Sequence, residues 1–149
     1  MEKLKQSGLV EVVREVTEKG TPFLGICLGL QLLFEHSDEA PGVEGLGILK
    51  GEILRIPDKE GYKIPHMGWN SLHLENDGIL FKGIAENSYV YFVHSYYLKA
   101  EEEQIVKAST EYTTHIHASV EKDNIFACQF HPEKSSDVGL KILKNFVEL

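Results

Sequence analysis

Apolar and polar positions alternate along this chain in two distinct rhythms, helical at both ends and strand-like through most of the second half. Leu4, Leu9, Val12, Val13 and Val16 recur at helical spacing, and Gly20 and Pro22 follow as stop signals, which predicts one amphipathic helix over residues 2–19. The run Phe23-Leu24-Gly25-Ile26 reads as a buried strand. Behind it Leu28, Leu30, Leu32, Leu33 and Phe34 are apolar nearly all round, which predicts a helix packed into the body of the domain and ending near His36-Ser37-Asp38. Residues 41–51 hold four glycines and read as a loop, followed by a short strand through Ile53, Leu54 and Ile56 that Pro57 closes. Tyr89–Val93, Ile105–Ala108 and Ile116–Val120 are β-rich runs, and the turn 121–124 joins the last of them to Ile125–Phe130. From Ser136 the apolar residues Val138, Leu140, Ile142, Leu143, Phe146 and Val147 return to helical spacing, with Ser135 or Ser136 as the N-cap. Helix, strand, turn, helix is an α/β order, and 149 residues without a linker or repeat make one domain, residues 1–149.

Charge and composition narrow the partners. Fifteen Lys and Arg against 23 Asp and Glu give a formal charge of −8 with no basic cluster, which argues against a nucleic acid or an anionic membrane as partner. The opening Met1-Glu2-Lys3-Leu4-Lys5 lacks the apolar core of a signal peptide, and no run approaches the ~18 apolar residues of a membrane span. Cys27 and Cys128 show no zinc-ligand spacing, so a reduced, cytoplasmic protein without disulfide, metal or cofactor is expected.

Two stretches carry candidate chemistry. In Gly25-Ile26-Cys27-Leu28-Gly29 a strand turns sharply into a helix with a cysteine at the tip, the layout of a nucleophile elbow, where residues two positions either side must be small. The following helix N-terminus is expected to lower the Cys27 thiol pKa, and the Leu28 N–H to serve as an oxyanion donor. In Cys128-Gln129-Phe130-His131-Pro132-Glu133 a buried strand delivers His131 at its end. A thiol nucleophile needs a base, and that base needs a carboxylate to fix its tautomer, roles that His131 and Glu133 can supply. Cys128 alternates with Phe126 and Phe130 and reads as a core thiol. His115 and His117 share a strand face without a third ligand nearby, so they read as packed or solvated histidines rather than metal ligands. His36 and His73 receive no role. Trp69 stands between Gly68 and Asn70 in a segment too polar for a core strand, which suits an exposed partner anchor.

Cys27 followed by Leu28-Gly29-Leu30-Gln31, together with His131-Pro132-Glu133, resembles the class I, triad-type glutamine amidotransferases. Within them, Pro65-His66-Met67-Gly68-Trp69-Asn70 and Tyr91-Phe92-Val93-His94-Ser95-Tyr96 are similar to the glutaminase subunits of imidazole glycerol phosphate synthases, over essentially the whole chain. The resemblance implies a flavodoxin-like three-layer α/β sandwich with a mixed central sheet. It implies hydrolysis of L-glutamine to L-glutamate and ammonia, the ammonia passing to a (β/α)₈-barrel cyclase subunit that makes imidazole glycerol phosphate and an aminoimidazole carboxamide ribotide for histidine biosynthesis. Carried over by residue, Cys27 is the nucleophile, His131 the general base and then acid, and Glu133 its orienting carboxylate. Leu28, Gln31, the His94-Ser95-Tyr96 segment and, more weakly, Glu39 would bind glutamine; Trp69, Tyr91 and Lys134 would face the cyclase. By the same resemblance, members carry roughly fifty residues ahead of the opening helix, including a strand, a helix and the loop with a second oxyanion donor, a type of donor worth ~10²–10³ in rate. The chain is thus expected to be short by that segment. Two other readings share these residues: a paralogue supplying ammonia for surface-sugar synthesis, and a non-catalytic binding subunit.

Overall fold

A computed structural model describes residues 1–149. Elements run in the order α1 (Glu2–Gln6), α2 (Leu9–Glu18), β1 (Phe23–Ile26), α3 (Leu28–Leu32), β2 (His36–Ser37), β3 (Gly51–Arg55), β4 (His66–Ser71), β5 (His73–Leu74), β6 (Tyr89–His94), β7 (Tyr96–Ala100), β8 (Val106–Glu111), β9 (His115–Lys122), β10 (Ile125–Cys128) and α4 (Ser136–Val147). The main sheet is mixed. Its strand order is β1-β10-β9-β7-β3-β2, parallel at β1/β10 and β2/β3 and antiparallel elsewhere, with β8 paired to β9 and β5 to β8. β4 and β6 form a separate antiparallel pair.

The apolar run of β10 is continuous because both faces of the sheet are covered. Ile125 and Ala127 pack with Leu30, Leu33, Phe34 and Ile53 on one side, and Phe126 and Cys128 with Phe92, Phe130 and Ile142 on the other. The sheet is therefore sandwiched, as an α/β architecture requires. No helix is long and apolar enough to cross a membrane.

Three elements differ from the pattern-based expectation. The opening helix is broken in two at Gly8, which adopts a left-handed conformation (φ 72°) that a residue without Cβ takes at little cost. The second apolar run stops being helical at Leu32 rather than near His36. Backbone N–H groups of the following loop reach back to its last carbonyls, Leu46 to Leu32 and Ile48 and Leu49 to Leu33, at 2.9–3.0 Å, so the bonds that another turn would have made are already taken. His36 and Ser37 then pair with β3 instead of capping a helix. Residues 66–71, too polar to suggest a core strand, are β4, a strand that buries only one face. A smaller correction concerns Ser135, which occupies the N-cap position of α4 while its hydroxyl makes no cap bond. It donates to the His131 carbonyl (2.6 Å) and accepts from the Tyr91 N–H (2.9 Å).

Candidate active site

The elbow forms where β1 meets α3. Cys27 has φ 52° and ψ −104°, a region that L-residues with side chains rarely occupy, and its N–H donates to the Cys128 carbonyl at 2.8 Å. Of the two elbow glycines, Gly25 alone is sterically required. A Cβ there would lie 2.8 Å from the Gly29 carbonyl carbon and oxygen, whereas one on Gly29 would meet nothing within 4 Å. The helix–strand approach that a side chain would block is thus cleared by Gly25.

Because β1 and β10 run parallel in the register Ile26 to Cys128, the residues just beyond β10 arrive beside Cys27. Gln129 is one of them. It is fully buried, and its Nε2 lies 3.7 Å from the Cys27 sulfur while its Oε1 accepts from Gln31 Nε2 at 3.0 Å. Gln31 also donates to the Tyr96 carbonyl at 3.1 Å. Both hydrogens of the Gln31 amide are then used, and its Oε1 is the atom left to meet a ligand. Gln129 escaped the reading of the sequence, although a glutamine inside an otherwise apolar run, two residues before His131, is a signal that could have found it.

His131 and Glu133 meet as expected, Nδ1 to Oε1 at 2.6 Å. The His131 N–H donates to the Tyr91 carbonyl at 3.0 Å, and Ser135 ties the same two residues together, so the histidine loop is bolted to β6. No hydrogen bond joins Cys27 to His131; the sulfur faces Gln129 and, at 3.9 Å, the Val93 carbonyl. The expected lowering of the Cys27 pKa is reversed. Burial raises it, the Leu28 N–H opposes that, and the Glu133 charge adds to the rise. Of the groups at the start of α3, the Leu28 N–H is the one that lowers it, and burial outweighs that.

Leu28, Gln31 and Glu39 line one cavity of about 230 Å³, and the Glu39 charge is felt at the Cys27 thiol. The His94 ring is not brought to this cavity. It is buried with both nitrogens engaged, Nδ1 to the Tyr96 carbonyl (2.8 Å) and Nε2 to His66 (2.9 Å). The backbone is what the 94–96 segment offers, and the Ser95 carbonyl is itself taken by the Ile56 N–H at 2.9 Å.

Trp69 and Tyr91 are cross-strand partners in the β4–β6 pair, ring centroids 6.1 Å apart, and Trp69 is 53% exposed. Met67 and Tyr89 lie on the same open face, as strand alternation from Trp69 and Tyr91 requires, and Lys134 is exposed at the end of the His131 turn. On β9 of the main sheet, His117 Nδ1 accepts from the Ala100 N–H at 3.0 Å, which puts the ring proton on Nε2 and leaves no lone pair there for a metal. Cys128 is buried, and its thiol pKa is pushed far above the ordinary range by that burial.

Comparison with known proteins starts from the family model for class I glutamine amidotransferases, which matches residues 3–149 and so spans both the elbow and the His131 turn. A chain of the Thermotoga maritima PurLQS structure shares the fold, with a TM-score of 0.68 at 22% identity over 94% of this chain and 67% of that one. Two curated relatives are closer in sequence, both described as imidazole glycerol phosphate synthase subunit HisH. The protein of Moorella thermoacetica is 52% identical over all of this chain and 70% of its own length. That of Methanocaldococcus jannaschii is 52% identical over 95% of this chain and 70% of its own. The chain belongs to the class I glutamine amidotransferases and, within them, to the family of these HisH subunits.

Proposed function

We propose that this chain hydrolyses L-glutamine to L-glutamate and ammonia as the glutaminase subunit of an imidazole glycerol phosphate synthase, with Cys27, His131 and Glu133 as its catalytic triad. The observation that carries the reading is Cys27 held at φ 52° at the head of α3, one strand away from the His131–Glu133 pair. In the reaction His131 takes the thiol proton, and the sulfur attacks the side-chain amide carbon of glutamine. The oxyanion gathers at the Leu28 N–H, and collapse expels ammonia with the proton returned from His131. Water then attacks the glutamyl thioester, with His131 as base, and glutamate leaves. Glu133 keeps the His131 proton on Nδ1 so that Nε2 can work. For the first step the thiol S–H must turn from the Val93 carbonyl towards His131.

Glutamine would reach Cys27 from the cavity of Leu28, Gln31 and Glu39, where the Gln31 Oε1 and the Glu39 carboxylate are acceptors suited to an α-ammonium group. Ammonia set free in water would be protonated and lost as a nucleophile, so its consumer must sit against the site. The open face bearing Trp69 and Tyr91, with Lys134 beside it, borders the site through the His131–Tyr91 bond and is the surface on which a (β/α)₈-barrel cyclase would dock. The deciding measurement is glutamate release by this chain with and without a purified cyclase and its nucleotide ligand. Turnover that appears with the cyclase supports the reading, and binding without any turnover would leave a non-catalytic subunit.

A further inference from the structure

A run of hydrogen bonds with a fixed direction leads from the β4–β6 pair to the nucleophile. His66 on β4 and His94 on β6 are opposite each other, Nδ1 to Nε2 at 2.9 Å, and both side chains are buried. A backbone carbonyl can only accept, so His94 Nδ1, 2.8 Å from the Tyr96 carbonyl, carries the proton. Neutral His94 then offers its lone pair at Nε2, which makes His66 Nδ1 the donor. His66 Nε2 is left as the acceptor facing Asn70 Nδ2 at 3.3 Å. Asn70 has no freedom to turn round, because its Oδ1 accepts from the Ser71 N–H at 2.8 Å and its Nδ2 also donates to the Glu111 carbonyl at 2.9 Å.

Beyond Tyr96 the direction is equally set. The same carbonyl accepts from Gln31, Gln31 donates to Gln129, and the Gln129 amide points at the Cys27 sulfur. The rings are kept uncharged by their surroundings. Phe92 and Tyr112 stack near the two faces of His66, with centroids at 4.8 and 4.0 Å, and burial lowers the pKa of each histidine to about 4.

We infer that His66 and His94 are positioning residues for the nucleophile: by holding the Tyr96 carbonyl they set the Gln31 and Gln129 amides that orient the Cys27 thiol. The same pair ties the strand whose outer face carries Trp69 to the inside of the site, so the placement of β4 is felt at the sulfur. This role presupposes the glutaminase reading of Cys27, and two of its three tests do not depend on glutamine turnover.

Long-range ¹H–¹⁵N spectra of the histidine-labelled full chain at pH 7 should show neutral, Nδ1-protonated rings at His66 and at His94, assigned by the signals that vanish one at a time in His66→Gln and His94→Asn. An Nε2-protonated or cationic ring at either position overturns the inference. The second test is alkylation of Cys27 by iodoacetamide, located by mass spectrometry. The third is kcat for glutamine hydrolysis in complex with the cyclase. His94→Leu removes the donor and should change the alkylation rate and slow kcat roughly 10- to 100-fold, the effect of a small misplacement of reacting atoms. His94→Asn keeps an N–H near the position of Nδ1 and should restore both to within about threefold. An asparagine variant as impaired as the leucine one, or a leucine variant with unchanged alkylation, would show that the histidines merely fill space. Absence of turnover in the unaltered complex would sink the glutaminase reading alone. Should His94→Leu fail to fold, the tautomers and the asparagine variant still decide.

Discussion

The two sheets of this molecule treat their faces differently. The large sheet is covered on both sides, and where β1 leaves it the chain turns through Cys27. The β4–β6 pair is covered on one side only: His66, Val90, Phe92 and His94 point inward, and Trp69, Met67 and Tyr89 stand open. The large sheet thus supplies the rigid frame on which strained geometry can be held, and the small one supplies a surface. Substitutions should sort accordingly, those at the elbow striking chemistry and folding, those on the small sheet striking acid stability and partner binding.

The largest expected effect is at the elbow. Cys27→Ala should lower glutamine hydrolysis by on the order of 10⁴ or more with the melting temperature preserved, since members of a triad act as a unit. Near-normal turnover in the folded variant would remove Cys27 from the chemistry.

Next comes the buried face of the small sheet. An ordinary histidine titrates near 6.5 in the unfolded chain, while His66 and His94 are held at about 4 in the fold. The unfolded chain therefore binds protons that the fold refuses, and the stability these rings contribute is complete above pH 6.5 and lost progressively down to pH 4. Urea unfolding across that window should show a loss on the order of 3 kcal/mol for each histidine, which shrinks in the His66→Gln/His94→Asn double variant. An identical pH slope in both proteins would mean that carboxylates elsewhere account for acid unfolding.

The elbow offers a sharper contrast between neighbours. Gly25→Ala forces a Cβ against the Gly29 backbone and should cost about 1–3 kcal/mol, as overpacking does, whereas Gly29→Ala has open space and lies in a helix, where alanine is favoured by ~0.5–1 kcal/mol. Equal melting temperatures for the two variants would contradict that steric account. On the open face, Trp69→Ala should weaken cyclase binding by ~2 kcal/mol, the scale of an aromatic hot spot, or raise the ratio of glutamate formed to imidazole product formed. Titration calorimetry and the product ratio test this together. If neither moves, the docking face lies elsewhere.

Much of this was readable in one dimension. The glycine spacing around Cys27 and the His131-Pro132-Glu133 run announce an elbow and a base with its carboxylate, because both depend on residues close in sequence whose geometry is local. The long strands of the second half and α4 show their periodicity for the same reason. The stop of α3 at Leu32 was hidden, since it depends on a loop more than ten residues later donating to the helix's last carbonyls. β4 was hidden too: a strand with one open face and a glycine and three polar residues looks like a loop until β6 pairs with it. Cys27 shows the division most clearly. Its place at a strand–helix turn follows from the sequence alone, but the direction of its pKa shift does not, because burial by distant segments outweighs the lowering by the Leu28 N–H and the charge of Glu133 adds to the rise. The sequence by itself determined the family, the elbow and the paired His131 and Glu133. Only the tertiary structure decided that His94 faces inward, that Gln129 stands at the sulfur and that two neutral histidines lie behind it, since hydrogen-bond direction is settled by what each buried group is packed against.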